Sequence, residues 1–96
     1  MTRKIRKMWL DEDIRDRLKD HAADVETSMG AIVRNVLEDI VEEPLDPLTL
    51  RQPATVGTLS VSVEVDDDLW YAARSAAMES RHSLASMVRK RLSLLL

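Results

Sequence analysis

Residues 58–70, "TLSVSVEVDDDLW", alternate between polar and apolar side chains for eight positions and then reach three consecutive aspartates. This period of two predicts a β-strand with one buried face, and the aspartates are typical of a helix start. The two faces of the strand carry Val61, Val63 and Val65 on one side and Ser60, Ser62 and Glu64 on the other. A single strand leaves backbone N–H and C=O groups unpaired, so a partner strand is expected elsewhere in the chain.

An internal repeat identifies that partner. When Leu10 is aligned with Val65, a shift of 65 − 10 = 55, the two halves of the chain align without a gap and their apolar positions stay in phase. The identical pairs are Asp11/Asp66, Asp13/Asp68, Ala22/Ala77, Ser28/Ser83, Val33/Val88, Arg34/Arg89 and Leu37/Leu92. Residues 3–10 are therefore predicted to pair antiparallel with residues 58–65, either within one chain or between two swapped chains, with Lys7 facing Ser62 near the centre.

Each half is predicted to form a strand followed by two helices. Asp11 and Asp66 precede the first helix of each half, and Ser28 and Ser83 precede the second, as N-cap residues do. The fold class is mainly α with a two-stranded antiparallel β-ribbon, in which tandem repeats form a pseudo-dimer. The predicted division is residues 1–43 for the first repeat, 44–57 for a linker and 58–96 for the second repeat.

The linker contains all three prolines of the chain, so it cannot be one continuous helix. It is expected to be extended and to pack through Leu45, Leu48 and Leu50. The chain ends in "RLSLLL", an apolar stretch that is expected to bury against another subunit in a homo-oligomer.

Composition argues against several classes of function. The 96 residues include no Cys and only two Gly, which excludes disulfides and thiolate zinc sites and nearly excludes a glycine-rich phosphate loop. No nucleophile–base pattern is present, and the two histidines, His21 and His82, stand far apart without metal-ligand spacing. We expect a protein that is not an enzyme and holds no cofactor or metal. Without a membrane-length apolar run or a secretory signal, it is expected to be soluble and cytoplasmic.

The net charge of −3 conceals an uneven charge distribution. Four cations lie in "TRKIRK" at residues 2–7 and three in "VRKRL" at residues 88–92, whereas the acids concentrate in "DED", "EDIVEE" and "VDDDL". An acidic chain of this kind can still present a basic surface to a nucleic acid.

The junctions "KMWLDEDI" and "VEVDDDL" and the second helices "TSMGAIVRNVL" and "HSLASMVRKRL" resemble the ribbon-helix-helix family of DNA-binding proteins, which includes Arc, MetJ and CopG-like repressors. Two units in one chain are similar to the tandem arrangement of TraY-type conjugation proteins. The resemblance implies sequence-specific binding to double-stranded DNA, with the ribbon in the major groove, by a transcriptional repressor or a plasmid transfer or maintenance regulator. The alternative is a protein-interaction module, either antitoxin-like or a structural dimerisation protein, without specific DNA binding.

The resemblance also implies two sets of site residues. The outward ribbon positions would read bases: Ile5, Lys7, Trp9, Ser60, Ser62 and Glu64. Lysine can donate to guanine, serine can donate or accept, and apolar side chains can contact a thymine methyl, while Glu64 would accept from cytosine or act as a brake on non-specific binding. The phosphate contacts would come from Arg3, Lys4, Arg6, Thr27, Ser28, Arg81, His82 and Ser83.

Two points stay open in the sequence. Lys4 and Arg6 fall on the inward face of the first strand, where an unpaired charge is costly. Either the strand is short and Arg6 reaches solvent or phosphate from its frayed end, or a bulge shifts the register and makes Lys4 and Arg6 the base readers; the first alternative is favoured. Arg34 and Arg89 are expected to form salt bridges with acids on neighbouring helices.

Overall fold

A computed structural model describes residues 3–96 and is mostly helical, with one two-stranded antiparallel sheet. The first two residues of the predicted first repeat, which begins at residue 1, lie outside this range. The elements in chain order are β1 (Arg3–Leu10), α1 (Glu12–Asp24), α2 (Met29–Glu42), α3 (Pro47–Leu50), β2 (Leu59–Asp66), α4 (Asp67–Glu79) and α5 (Leu84–Leu95).

The ribbon formed by β1 and β2 has the register that the repeat predicts. Lys7 lies opposite Ser62, and the ladder continues without a bulge from Arg3 opposite Asp66 to Leu10 opposite Leu59. Beyond that last pair, the Thr58 N–H donates to the Leu10 carbonyl at 2.9 Å. The predicted pairing of the two strands is confirmed, with β2 beginning and ending one residue later than expected.

Four capped helix starts, each predicted from the sequence, position the helices beneath the ribbon. Asp11 and Asp66 accept from the backbone N–H three residues later, at 3.2 and 2.8 Å, and Ser28 and Ser83 do so at 3.0 and 3.1 Å. Each bond satisfies an N–H group that has no partner within its own helix. A capping aspartate at the end of each strand turns the chain from the ribbon into a helix.

The core lies between the inner face of the ribbon and the helices, and it is built almost entirely from aliphatic side chains. Buried ribbon residues are Met8, Leu10, Val61, Val63 and Val65. Buried helical residues include Ile14, Leu18, Val33, Val36, Leu37, Ile40, Ala73, Ala77, Met87, Val88 and Leu92. One closed apolar cluster therefore joins both halves of the chain, as period-two and helical spacing of apolar residues predict.

The two turns between helices share one backbone geometry. Glu26 and Arg81 both have left-handed conformations, with φ of 54° and 61°. In each turn the next residue donates back to the preceding helix: Thr27 N–H to the Ala22 carbonyl at 2.9 Å and His82 N–H to the Ala77 carbonyl at 3.0 Å. The left-handed residue ends the first helix and satisfies carbonyls that would otherwise lack donors.

The linker is partly helical, which corrects the expectation of an extended segment. Asp46 caps α3, and the same carboxylate accepts from the nearly buried guanidinium of Arg91 on α5 at 3.0 Å. Leu50 packs against the core, but Leu45 and Leu48 are 62% and 57% exposed rather than packed. The linker is held by this ion pair and by polar contacts more than by its leucines.

The C-terminal leucines divide between core and surface. Leu92 is fully buried, Leu96 packs partly against the core, and Leu94 and Leu95 remain 39% and 55% exposed. Within residues 3–96, no helix has both the length and the apolar character that crossing a membrane requires.

Candidate nucleic-acid interface

The outer face of the ribbon presents three cross-strand pairs to solvent. These pairs are Ile5 with Glu64, Lys7 with Ser62, and Trp9 with Ser60. All six side chains are exposed, including Ile5 at 74% and Trp9 at 47%. The six residues predicted to be outward are therefore outward, and they form one continuous surface that no part of residues 3–96 covers.

This face has an uneven charge distribution. Lys7 supplies a cation at its centre, and Glu64 supplies a carboxylate toward one end. Within residues 3–96, neither side chain forms a salt bridge with the other or with any other group. Both charges are therefore available to a bound molecule.

Arg34 and Arg89 support the ribbon from below, in roles that the sequence did not indicate. The Arg34 guanidinium donates to the Glu64 carbonyl at 3.2 Å, and the Arg89 guanidinium donates to the Trp9 carbonyl at 3.0 Å. The expected salt bridges to neighbouring helices are wrong, because each arginine reaches backbone oxygen on the strand that crosses its helix. Burial lowers the pKa of Arg89, and the nearby Asp11 opposes this effect. The sequence feature that could have indicated these roles is that the two arginines occupy equivalent positions in the repeat.

Both glycines of the chain occur where backbone meets backbone at the ribbon. A Cβ on Gly30 of α2 would lie 2.8 Å from the Ser62 carbonyl oxygen, and one on Gly57 would lie 2.8 Å from both the Cβ and the carbonyl oxygen of Trp9. Such distances are shorter than real contacts, so a side chain at either position would push the ribbon away. Glycine at these two sites keeps α2 and the end of the linker close to the strands.

A groove of about 460 Å³ runs from the outer face of the ribbon to the N-terminus of α2. It is lined by Arg3, Ile5, Ser28, Gly30, Ala31, Arg34, Ser62 and Glu64. The structure therefore brings two predicted phosphate residues, Arg3 and Ser28, together with three predicted base-reading residues. A helix N-terminus with two guanidinium groups beside it is suited to an anion.

The other predicted phosphate residues at helix starts differ in availability. Thr27, Ser28, Arg81 and Ser83 are exposed beside the N-termini of α2 and α5. His82 is partly buried and engaged at both ring nitrogens, with Nδ1 2.6 Å from the Ser80 carbonyl and Nε2 3.1 Å from the Lys90 ammonium. Its ring is therefore held between the C-terminal end of α4 and Lys90 of α5 rather than directed freely to solvent.

Lys4 and Arg6 lie against Asp67 at the start of α4. The Asp67 carboxylate is 3.1 Å from the Lys4 ammonium and 3.0 Å from the Arg6 guanidinium, which also lies over the rings of Trp70 and Tyr71 at 5.1 and 5.6 Å. Hydrogen bonds from Lys4 and then Arg6 lower the pKa of Asp67. The pKa of Arg6 is raised, first by its hydrogen bond to Asp67 and second by its interaction with Tyr71.

This cluster resolves the open question about the first strand. The favoured register, with Lys4 and Arg6 on the inner side and no bulge, is confirmed, but the expected short strand is wrong, because β1 is continuous from Arg3. The charge of Arg6 is compensated by the Asp67 carboxylate and by the faces of two aromatic rings, and not by solvent alone. With no bulge, Lys4 and Arg6 are not the outward readers of the ribbon, and the carboxylate competes with any phosphate for both cations.

Chemically, the outer face of the ribbon offers hydrogen-bond donors and acceptors in a row. Among residues 3–96, no group of three His, Cys, Asp or Glu side chains is placed to hold a metal ion. Comparison of this chain with protein-family models, with curated proteins and with solved structures found no match in any of the three. Function must therefore be argued from the ribbon and the residues around it.

Proposed function

We propose that this protein binds double-stranded DNA in a sequence-specific manner, by inserting the outer face of its β-ribbon into the major groove. The observation that carries the proposal is the contrast between the two faces of one ribbon. Most of the inner face is buried in an aliphatic core, with Lys4 and Arg6 paired to Asp67 at one end, whereas the outer face is an exposed row of lysine, serine, glutamate and large apolar side chains. Such a row matches the donors, acceptors and methyl groups of base edges.

We further propose that the chain is a tandem ribbon-helix-helix protein whose halves form a pseudo-dimer. The ribbon pairing is the same for the two strands: adding 55 to each residue number of β1 and subtracting 55 from each of β2 gives the same register. Lys7 then becomes Ser62, and Ser62 becomes Lys7. The bonds from Arg34 to the Glu64 carbonyl and from Arg89 to the Trp9 carbonyl exchange in the same way. One chain would then supply the two-fold arrangement that single-unit members of this family build from two chains.

Physical dimensions and charge support the major groove as the site. The major groove admits a two-stranded ribbon, whereas the minor groove is about half as wide. The N-termini of α2 and α5, capped by Ser28 and Ser83, flank the ribbon and are suited to phosphates on either side. Occupying a groove in this way would exclude other proteins from the same DNA, which fits a repressor or a plasmid transfer or maintenance regulator.

The test is competitive binding of the wild-type protein to genomic duplex fragments at moderate salt. We expect some fragments to outcompete bulk DNA, and Lys7→Ala to lose discrimination at one base step by about 1–3 kcal/mol. Arg3→Ala should weaken all sequences alike and reduce the salt dependence. Lys19→Ala, which removes an exposed cation from α1, is the matched control and should change neither.

If no fragment outcompetes bulk DNA, specific DNA binding is wrong and the protein-interaction alternative replaces it. That alternative has its own observation, because Tyr71 and Met78 on α4 are 52% and 65% exposed, two turns of one helix apart. An exposed aromatic and a methionine on one helix face are suited to a protein partner.

A further inference from the structure

The two ends of the outer ribbon face differ in chemistry. One end, here called the Glu64 end, carries Ile5 and Glu64, with Arg3 opposite Asp66 at its edge. The other, called the Trp9 end, carries Trp9 and Ser60. At the offset of 55, Trp9 occupies the position that corresponds to Glu64, so the ribbon has an anion at one end where it has an indole at the other.

At the Glu64 end the backbone is held in place, while the carboxylate is not neutralised. The Arg34 guanidinium fixes the backbone by donating to the Glu64 carbonyl at 3.2 Å, and the side chain lines the open groove of about 460 Å³ together with Arg3 and Arg34. Within residues 3–96, the Glu64 carboxylate has no hydrogen-bond or ion-pair partner. It is an exposed acceptor that needs a donor when a bound molecule displaces its water.

At the Trp9 end the outward side chains of the ribbon, Trp9 and Ser60, carry no charge. Gly57 lies directly against Trp9, where a Cβ would come within 2.8 Å, and Arg89 donates to the Trp9 carbonyl at 3.0 Å. The indole is 47% exposed, beside the hydroxyl of Ser60. This end offers an apolar surface and a small hydroxyl, and no carboxylate.

From this contrast, and resting on the proposed DNA binding, we infer that the protein binds an asymmetric duplex in one fixed orientation and that Glu64 is the residue that determines it. In the bound orientation the Glu64 carboxylate accepts from the N4 amino group of cytosine. The Trp9 end lies on a base step with a thymine methyl. In the reversed orientation the carboxylate would face acceptor or methyl groups and lose its only donor, so that orientation is disfavoured.

Orientation is measured directly by tethered DNA cleavage on the best duplex selected from a random pool. The chain has no cysteine, so Val56→Cys and Asp68→Cys each provide one attachment point for an iron chelate, the first beside the Trp9 end and the second beside the Glu64 end. Val56 and Asp68 are exposed and lie outside the reading face. We expect each label to cut one end of the duplex only, and the two labels to cut opposite ends. Cutting of both ends by each label would overturn the inference while leaving specific binding intact.

The role of Glu64 is tested by Glu64→Gln, with selection of preferred duplexes repeated for the variant. Glutamine pairs with adenine at N6 and N7, so the preferred base at one position should change from cytosine to adenine, and the variant should prefer adenine by roughly 5- to 150-fold. Glu79→Gln makes the same charge change at the far end of α4 and should leave the preference unaltered. An unchanged cytosine preference in Glu64→Gln would overturn the assignment. Failure of the wild type to select any duplex would instead overturn the proposed function, and with it this inference.

Discussion

The two strands of the ribbon lie in one ladder, yet their inward residues are stabilised in different ways. In β2 the inward residues Val61, Val63 and Val65 are at most 4% exposed. In β1 only Met8 and Leu10 are buried, and the inward positions closer to the chain start carry Arg6 and Lys4. One strand is anchored by hydrophobic burial from Val61 to Val65, and the other is anchored at one end by an ion-pair cluster.

The comparison shows that similar backbone positions can be held by unlike side-chain chemistry. At the offset of 55, Arg6 corresponds to Val61, Glu12 to Asp67, and Val36 to Arg91. In each of these pairs, one residue forms an ion pair with another segment of the chain. Its counterpart in the other half is apolar or, among residues 3–96, forms no ion pair. Packing can therefore be compared between the halves one position at a time by mutation.

The largest effect is expected from Val63→Asp. Val63 is fully buried in β2, so aspartate there would hold an unpaired charge in an aliphatic core and destabilise the fold by at least about 4–5 kcal/mol. Ser62→Ala, the adjacent outward position, should leave the free energy of unfolding almost unchanged. Denaturant unfolding monitored by circular dichroism checks both variants, and equal losses would contradict the assignment of the two faces.

A second large effect should come from the ion pair that holds the linker to α5. Arg91 donates to Asp46 at 3.0 Å and to the Glu43 carbonyl at 2.9 Å, so Asp46→Ala leaves a nearly buried guanidinium without its counter-charge and should cost about 3 kcal/mol. Adding Arg91→Met removes that charge and supplies an apolar side chain, as Val36 does in the other half. The double variant should therefore be more stable than Asp46→Ala alone; a double variant that is less stable would show that Arg91 stabilises α5 independently of Asp46.

A moderate effect on binding is expected from Asp67→Asn, which weakens the hold on Lys4 and Arg6. With the competing carboxylate removed, affinity for bulk DNA should rise at low salt, and the gain should vanish at high salt. Asp68→Asn, one residue further along α4, removes the same charge without touching these cations and is the control. An equal rise in both variants would mean that net charge alone is responsible.

The same carboxylate should contribute to acid sensitivity. The cations lower the pKa of Asp67 in the folded state, so its contribution to stability is present above the unfolded pKa of about 3.9 and is lost as pH falls through the lowered folded pKa. The difference in unfolding free energy between wild type and Asp67→Asn should thus be constant near neutral pH and shrink below about pH 4. Unfolding curves measured across this range check the sign; a difference that grows on acidification would contradict it.

The smallest effects are expected at the two helix–helix turns, where the halves agree. Glu26 and Arg81 both have positive φ, a conformation that glycine adopts without strain. Glu26→Gly and Arg81→Gly should each raise the unfolding free energy by up to about 1 kcal/mol, measured by thermal or denaturant unfolding. Ala72→Gly, at an exposed position inside α4, is the control and should lose about 1 kcal/mol because glycine weakens a helix interior.

Much of the architecture can be derived from local patterns in the sequence. The period of two in residues 58–65, the aspartate and serine caps, and the repeat offset together predict both strands, the four long helices and the pairing of Lys7 with Ser62. These features depend on backbone geometry and on side chains within three or four residues of each other. A capping side chain has few backbone N–H groups within reach, and a valine in an alternating strand can face only one of two sides. The environment of each can therefore be inferred from its neighbours in the sequence.

Only the tertiary structure decided where the long cationic side chains go. Arg6 and Lys4 form ion pairs with Asp67, and Arg91 forms one with Asp46 on the linker. Arg34 and Arg89 donate to carbonyl oxygens of the ribbon. Each of these partners lies at least thirty residues away in the sequence, and each arginine or lysine has several donors on a flexible stem. Which acceptor such a side chain reaches depends on how distant segments cross, and that crossing exists only once the core has formed.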